Sequence, residues 1–290
     1  MDRRICCLHV PLFPLAARLR SEPDLRSEAV AVFEGSGKNA SLVAATRRAR
    51  QGGLTPGITA TQARTLLPNL LVRPRDPECE RAAQETLVEV ATEFSPRIQD
   101  DGEGTVYFDL TGTERHFSDV DPESDLAQSL LTATSKVGLD VWVGIASSTL
   151  AARIAAETPP SPRIVRAREE AAFLAPLPLD RLCAETRAYE TLRRWGIDTI
   201  GEFAALPHNQ VAGRLGSIGN ALHQQARGLD QRPLVPRSTP LIFHEGMELD
   251  WSLVTLEPFL FVASRAPARL GGTIRRRAHE YLVAVFLKPL

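Results

Sequence analysis

Apolar positions along the chain fall into short unbroken runs that alternate with stretches of helical period. Residues 5–10, 29–33 and 42–45 are apolar runs bounded by turn formers, and each predicts a buried strand. Gly35-Ser36-Gly37-Lys38-Asn39 predicts the hairpin turn joining the second run to the third. Residues 46–51 predict a short helix stopped by Gly52-Gly53, and 59–67 a second halted by Pro68-Asn69. The clearest amphipathic helix is 77–94, with Ala82, Leu87, Val90, Ala91 and Phe94 assigned to one face. Strand, helix, strand and helix then follow at 104–110, 126–137, 141–145 and 149–156. Such alternation builds a sheet with helices packed on it. Pro159-Pro160-Ser161-Pro162 interrupts the pattern ahead of a short strand at 163–165.

Beyond Pro176-Leu177-Pro178 the pattern turns helical and local. Residues 189–195 form a helix ended by Gly196, and Thr199 with Glu202 makes a capping box for a helix through Leu206. This reads as helix, hairpin, helix. A proline-rich linker at 233–240 leads to a strand (241–248), a helix broken at Gly271-Gly272 (256–278) and a terminal strand (281–287).

With 290 residues and 43% hydrophobic content the chain can bury a large core, in two or so domains or several small lobes. No apolar run approaches the ~20 residues that span a bilayer. The start does not read as a signal peptide, because His9, Pro11 and Pro14 break the apolar run and Arg18 and Arg20 follow it. Cys6 and Cys7 are adjacent while Cys79 and Cys183 stand alone, so neither zinc spacing nor a disulfide framework is present, and a reducing cytoplasm is expected. No cofactor is expected either.

Net charge is only -1, yet charge is segregated. Residues 41–75 hold six arginines (Arg47, Arg48, Arg50, Arg64, Arg73, Arg75) and no acid, residues 76–125 hold fifteen acids against three arginines, and in 262–290 six basic residues face only Glu280. Charge runs are most often solvated faces, but two basic stretches flanking an acidic one also suit selective contact with nucleic acid. The glycine turn at 35–39 lacks the spacing of a phosphate-binding loop, since Val32 and Asn39 stand where glycine and Ser or Thr are needed. The six histidines are scattered, and Gly144-Ile145-Ala146-Ser147-Ser148 is not a nucleophile elbow.

Four motifs in order carry a resemblance. Cys7-Leu8-His9-Val10-Pro11-Leu12-Phe13-Pro14-Leu15-Ala16-Ala17 resembles the first palm strand of Y-family (translesion) DNA polymerases, Leu-His-Val-Asp-Met-Asp-Ala-Phe-Phe-Ala. Residues 43–58, with Thr46-Arg47-Arg48-Ala49-Arg50 and Gly52, and then Ala63-Arg64-Thr65-Leu66-Leu67-Pro68, are similar to the family's fingers motif. Gly104-Thr105-Val106-Tyr107-Phe108-Asp109-Leu110-Thr111 resembles Asp-Glu-Ala-Tyr-Leu-Asp-Ile-Thr, and Val143-Gly144-Ile145-Ala146 through Ala156 resembles the later palm motif.

The resemblance implies an α+β fold: a right-hand palm (1–12 and 74–165), fingers (13–73), a helical thumb (166–232), a linker (233–240) and an incomplete little finger (241–290). It also implies roles, residue by residue. The family's metal-holding carboxylates fall on Pro11, Phe13, Gly104 and Thr105, none of which is acidic. Two-metal phosphoryl transfer needs carboxylates to balance two hard cations. The expectation is therefore a chain that is not an enzyme and has no catalytic residues or metal. Asp109 matches a non-catalytic aspartate, for which a structural role is expected. The family's triphosphate-contacting fingers arginine falls on Arg50 and its palm lysine on Arg153, so positive charge persists; with Arg47 and Arg48 these are the candidate DNA or phosphate contacts, for which a solvated face is the competing reading. The tyrosine of the fingers motif becomes Arg47, and the phosphate-gripping thumb hairpin is replaced by residues 182–186.

Among relatives the pattern most resembles ImuB-like mutasome subunits. That implies an adaptor in DNA damage tolerance and induced mutagenesis that binds DNA weakly without sequence preference. Its implied partners are a sliding clamp, an error-prone replicative-type polymerase and a RecA-like accessory subunit (ImuA). The alternatives are an active translesion polymerase using Asp101 and Glu103, or a truncated relative without function. No Gln-x-x-Leu-Phe-like clamp peptide occurs, so a longer functional protein is expected, with strand 281–287 lacking a partner.

Overall fold

The first apolar run becomes β1 (Ile5–His9), the middle strand of a five-stranded sheet, because a run without polar alternation is stable only when covered on both faces. Ile5, Cys6, Cys7 and Leu8 have no exposed surface. The computed structural model describes residues 3–35, 37, 40–111, 121–183, 187–230 and 232–237. Two units divide the chain, 1–237 and 238–290, and every described residue lies in the first.

β6 (Thr105–Asp109) and β7 (Trp142–Ala146) flank β1, both antiparallel, with Cys7 opposite Tyr107 on one side and Gly144 on the other. β5 (Ile98–Gly102) and β8 (Arg163–Ile164) complete the order β5-β6-β1-β7-β8. Side chains alternate across the sheet. Cys6, Leu8, Val106, Phe108, Val143 and Ile145 face α4 (Pro77–Phe94) and α5 (Pro122–Lys136), which contribute Leu87, Ala91, Leu126 and Leu130. Ile5, Cys7, Tyr107 and Ala146 face α6 (Thr149–Glu157), whose Ala151, Ala152, Ala155 and Ala156 let the helix lie close to the strands. Asp76 caps α4 through the Glu78 and Cys79 amides, and Ser148 caps α6 through the Ala151 amide.

A second sheet has the order β3-β2-β4, in which β2 (Val30–Glu34) pairs antiparallel with β3 (Ser41–Ala45) and parallel with β4 (Leu71–Pro74). α2 (Arg47–Gln51) and α3 (Ala60–Leu66) cover it through Ala49 and Ala63. The remaining helices pack on one another around Leu174, Leu179, Leu192, Ile200, Phe203 and Val211. They are α7 (Glu170–Leu174), α8 (Asp180–Cys183), α9 (Arg187–Arg194), α10 (Ile200–Ala204) and α11 (His208–Ala226). Gly196 has φ +76 after α9, and the capping box of Thr199 with Glu202 is formed. Buried Arg4 ties the first strand to the helices: it meets Glu123 of α5 at 2.5 and 2.8 Å and Glu170 of α7 at 3.9 Å.

The structure departs from the sequence reading in definite places. α1 (Phe13–Ser21) forms where two prolines signalled a break, because Pro14 stands in its first turn, where the missing N–H costs nothing. α5 starts at Pro122, ahead of its first apolar position, for the same reason with Asp121 as cap. In the first half of α4 the buried alanine is Ala83, and Ala82 is exposed. The expected elements at 241–248, 256–278 and 281–287, and the expected lone strand among them, lie outside the described residues. Among those described, no helix is long and apolar enough to cross a membrane.

Candidate functional site

Of the four positions matched to metal ligands, the fold sets Phe13 against Gly104 and its neighbour Thr105, and Pro11 follows Val10, which is bonded to Gly104. The Val10 amide donates to the Gly104 carbonyl at 2.8 Å, closing the end of β1 onto the turn that opens β6. Phe13 is buried, and its ring lies so tightly on Gly104 that a Cβ there would come within 2.7 Å of it. Gly104 also has φ +77, which favours glycine. Thr105 is buried, with its Oγ1 3.1 Å from His9 Nδ1. An aromatic ring and a hydroxyl–imidazole pair thus occupy the place. Among the described residues, no group of three or more His, Cys, Asp or Glu side chains could hold a metal ion.

Two residues missed in the sequence organise the adjoining turn. Gln84, on the buried face of α4, accepts from the Gly104 amide at 2.8 Å and donates to Asp100 at 2.6 Å and to the Thr105 carbonyl at 3.3 Å. Asp100 in turn accepts from the Gly102 amide at 3.0 Å. A polar residue amid the apolar face of an amphipathic helix was the available signal. Asp109 is buried and structural, accepting from the Thr111 amide at 2.9 Å and pairing with Arg97 at 2.9 Å.

The arginines fall into two places. Arg47, Arg48 and Arg50 lie exposed on α2, in the three-stranded unit; Arg48 donates to the Ser27 carbonyl at 2.9 Å, while Arg47 and Arg50 have no ion pair among the described residues. The basic stretch is not all free charge, since Arg73 is taken by Glu22 and Arg75 by Glu34 and Glu80. Arg153 sits elsewhere, on α6, 2.8 Å from Glu157 and 3.4 Å from Asp101, and Glu157 is shared with Arg181 at 3.0 Å. Burial opposes its charge, but the hydrogen bond it donates to Glu157 and the neighbouring Tyr107 outweigh that and strengthen its hold on the proton.

Burial pushes the Cys7 thiol and the Tyr107 phenol up, so neither is a nucleophile near neutrality. Burial pushes His9 below its usual 6.5. The unfolded chain then binds the proton more readily, so His9 contributes stability above pH 6.5 that is lost as pH falls toward its lowered value. His9→Gln should flatten the dependence of the urea midpoint between about pH 7.5 and 5.5; an unchanged slope would move the effect to His223, which burial also lowers.

Residues 8–157 match the impB/mucB/samB family. DNA polymerase IV of Dehalococcoides mccartyi (strain CBDB1) is 30% identical over 236 residues, which are 80% of this chain and 60% of that protein. Protein ImuB of Caulobacter vibrioides (strain NA1000 / CB15N) is 29% identical over 231 residues, 77% of this chain and 50% of that one. The chain therefore spans between half and 60% of the length of these curated relatives. Among solved structures, DinB from Sulfolobus solfataricus matches with a TM-score of 0.65 at 18% identity, over 80% of this chain and 69% of that one. A post-insertion binary complex of Dbh DNA polymerase matches with a TM-score of 0.69, again at 18% identity over 80% and 69%.

These findings correct one expectation. A chain that is not an enzyme was inferred from four positions without carboxylates, but relatives sharing up to 30% of its residues and structures sharing its fold are named DNA polymerases. Both names, DNA polymerase IV and ImuB, occur among its relatives, and the four positions do not exclude catalysis. By the match over more than half its length, the chain belongs to the impB/mucB/samB family, the UmuC-like domain of the Y-family polymerases.

Proposed function

We propose that this chain serves DNA damage tolerance by binding primer–template DNA through its phosphates and bridging partners at a stalled fork. The observation that carries the DNA part is the pair Arg47 and Arg50, exposed and free of ion pairs among the described residues, on a fold shared with a polymerase named as a binary complex. Guanidinium groups that no carboxylate neutralises can donate to phosphate oxygens without first breaking a bond. In this reading the five-stranded sheet is the palm (1–12 and 74–165), the three-stranded unit the fingers (13–73) and the helices from α7 to α11 the thumb (166–232), with a linker at 233–240 and a little finger from 241. The bridging part rests on the likeness to ImuB, and its partners are the sliding clamp, an error-prone polymerase and a RecA-like subunit.

Binding should be sequence-independent and strongly salt-dependent. Arg47→Ala with Arg50→Ala should weaken it and flatten the salt slope by about 0.9 for each phosphate no longer engaged. Unchanged affinity and slope would return these arginines to a solvated face. The names of the relatives favour a second reading, template-directed synthesis. Primer extension with Mg²⁺ or Mn²⁺ separates the two, since templated incorporation would establish the second.

A further inference from the structure

Arg153 is held from two sides by carboxylates of unequal quality. Glu157, one helical turn along α6, is the closer partner at 2.8 Å, is only 21% exposed and is itself anchored by Arg181. Asp101 is longer at 3.4 Å and 39% exposed. Its position is built: β5 and β6 pair Asp100 with Val106 and Gly102 with Thr105, so Asp101 is the extra residue of a bulge. A bulge re-aims one side chain out of the alternation of its strand. Here Gln84 and the Asp100 carboxylate brace the bulge, and Asp101 reaches across to α6.

We infer that Asp101 is an internal competitor for Arg153, occupying from the solvent side the coordination that a nucleic-acid phosphate would take, while Glu157 holds the guanidinium in place. This rests on the DNA-binding reading above and adds its regulation. The exchange is balanced: one carboxylate oxygen leaves one guanidinium N–H, one phosphate oxygen replaces it, and no proton moves. Because the Asp101 pair is exposed, breaking it costs little, on the scale of surface ion pairs. The phosphate meets an arginine already oriented by Glu157 and Tyr107.

The test is fluorescence anisotropy of the 290-residue chain with a fluorescein-labelled primer–template at several salt concentrations. Asp101→Asn should bind about two- to fivefold more tightly, with the salt slope little changed, because the same phosphate is engaged once Asp101 no longer competes for Arg153. In an Arg153→Gln background the gain should disappear. Glu103→Gln removes an acid two residues away that makes no bond to Arg153 and should leave affinity and slope as they are; this control does not depend on the Arg153 variant folding. An equal gain from Glu103→Gln, or no change with Asp101→Asn, would overturn the inference while leaving the DNA reading intact. Absence of DNA binding by both the unaltered chain and Asp101→Asn would overturn both.

Discussion

Gly144→Val should leave no cooperatively folded protein at room temperature. Gly144 lies in β7 opposite Cys7, directly beneath α6, and a Cβ there would stand 2.1 Å from the Ala152 carbonyl oxygen and 2.3 Å from the Ala156 amide nitrogen. These are backbone atoms, so no side-chain rotation relieves the clash. Ordinary overpacking of a core costs about 1–3 kcal/mol because side chains shift. Here the helix itself must lift, pulling Ala151, Ala152, Ala155 and Ala156 away from Ile5 and Cys7, and the destabilisation should exceed the top of that range. Gly144→Ala already places the offending carbon. Urea denaturation followed by circular dichroism measures it; a destabilisation under about 1 kcal/mol for Gly144→Ala would show that α6 can slide freely on the sheet.

Phe13→Ala should cost about 3–5 kcal/mol, the range for removing a buried aromatic ring. The ring is part of the main core and closes the space beside Gly104. Gly104 has no side chain to fill the gap, and its φ of +77 resists acquiring one, so the cavity would persist. Phe13→Leu restores most of the volume and should cost less than about 1.5 kcal/mol. Equal destabilisation by the two variants in the same urea titration would mean that the ring's shape, rather than its volume, secures α1 to the sheet.

The strands at the start of the chain, the long helix through Leu87 and Val90 and the capping box at Thr199 were legible because each is a local pattern with its own period or cap. β5 was not, since Ile98-Gln99-Asp100-Asp101-Gly102 is polar and becomes a strand only by pairing with buried β6. α11 was missed because Gly213, Gly216 and Gly219 lower its helical propensity, and Gly216 does leave helical geometry at φ +65. At the candidate site, the positions Pro11, Phe13, Gly104 and Thr105 were singled out by the family resemblance. That Phe13 would rest on Gly104 was not legible, nor that Gln84 would brace the turn. The commitments of Arg73, Arg75 and Arg153 to particular acids were equally hidden, because ion pairing depends on which elements meet. Reading missing carboxylates as missing activity overreached for a related reason: four positions describe four positions, and the family includes polymerases by name.

The central place of β1 bears on how the chain comes together in time. Its partners lie about 100 residues further on in β6 and about 140 further on in β7. Loop closure over such spans is slow, and it must precede any reward from pairing. The three-stranded unit draws all its strands from 30–74 and can close early. During synthesis β1 therefore lacks its second neighbour until Ala146 has been made, and its apolar Ile5, Cys6, Cys7 and Leu8 form a segment that chaperones can hold in the meantime.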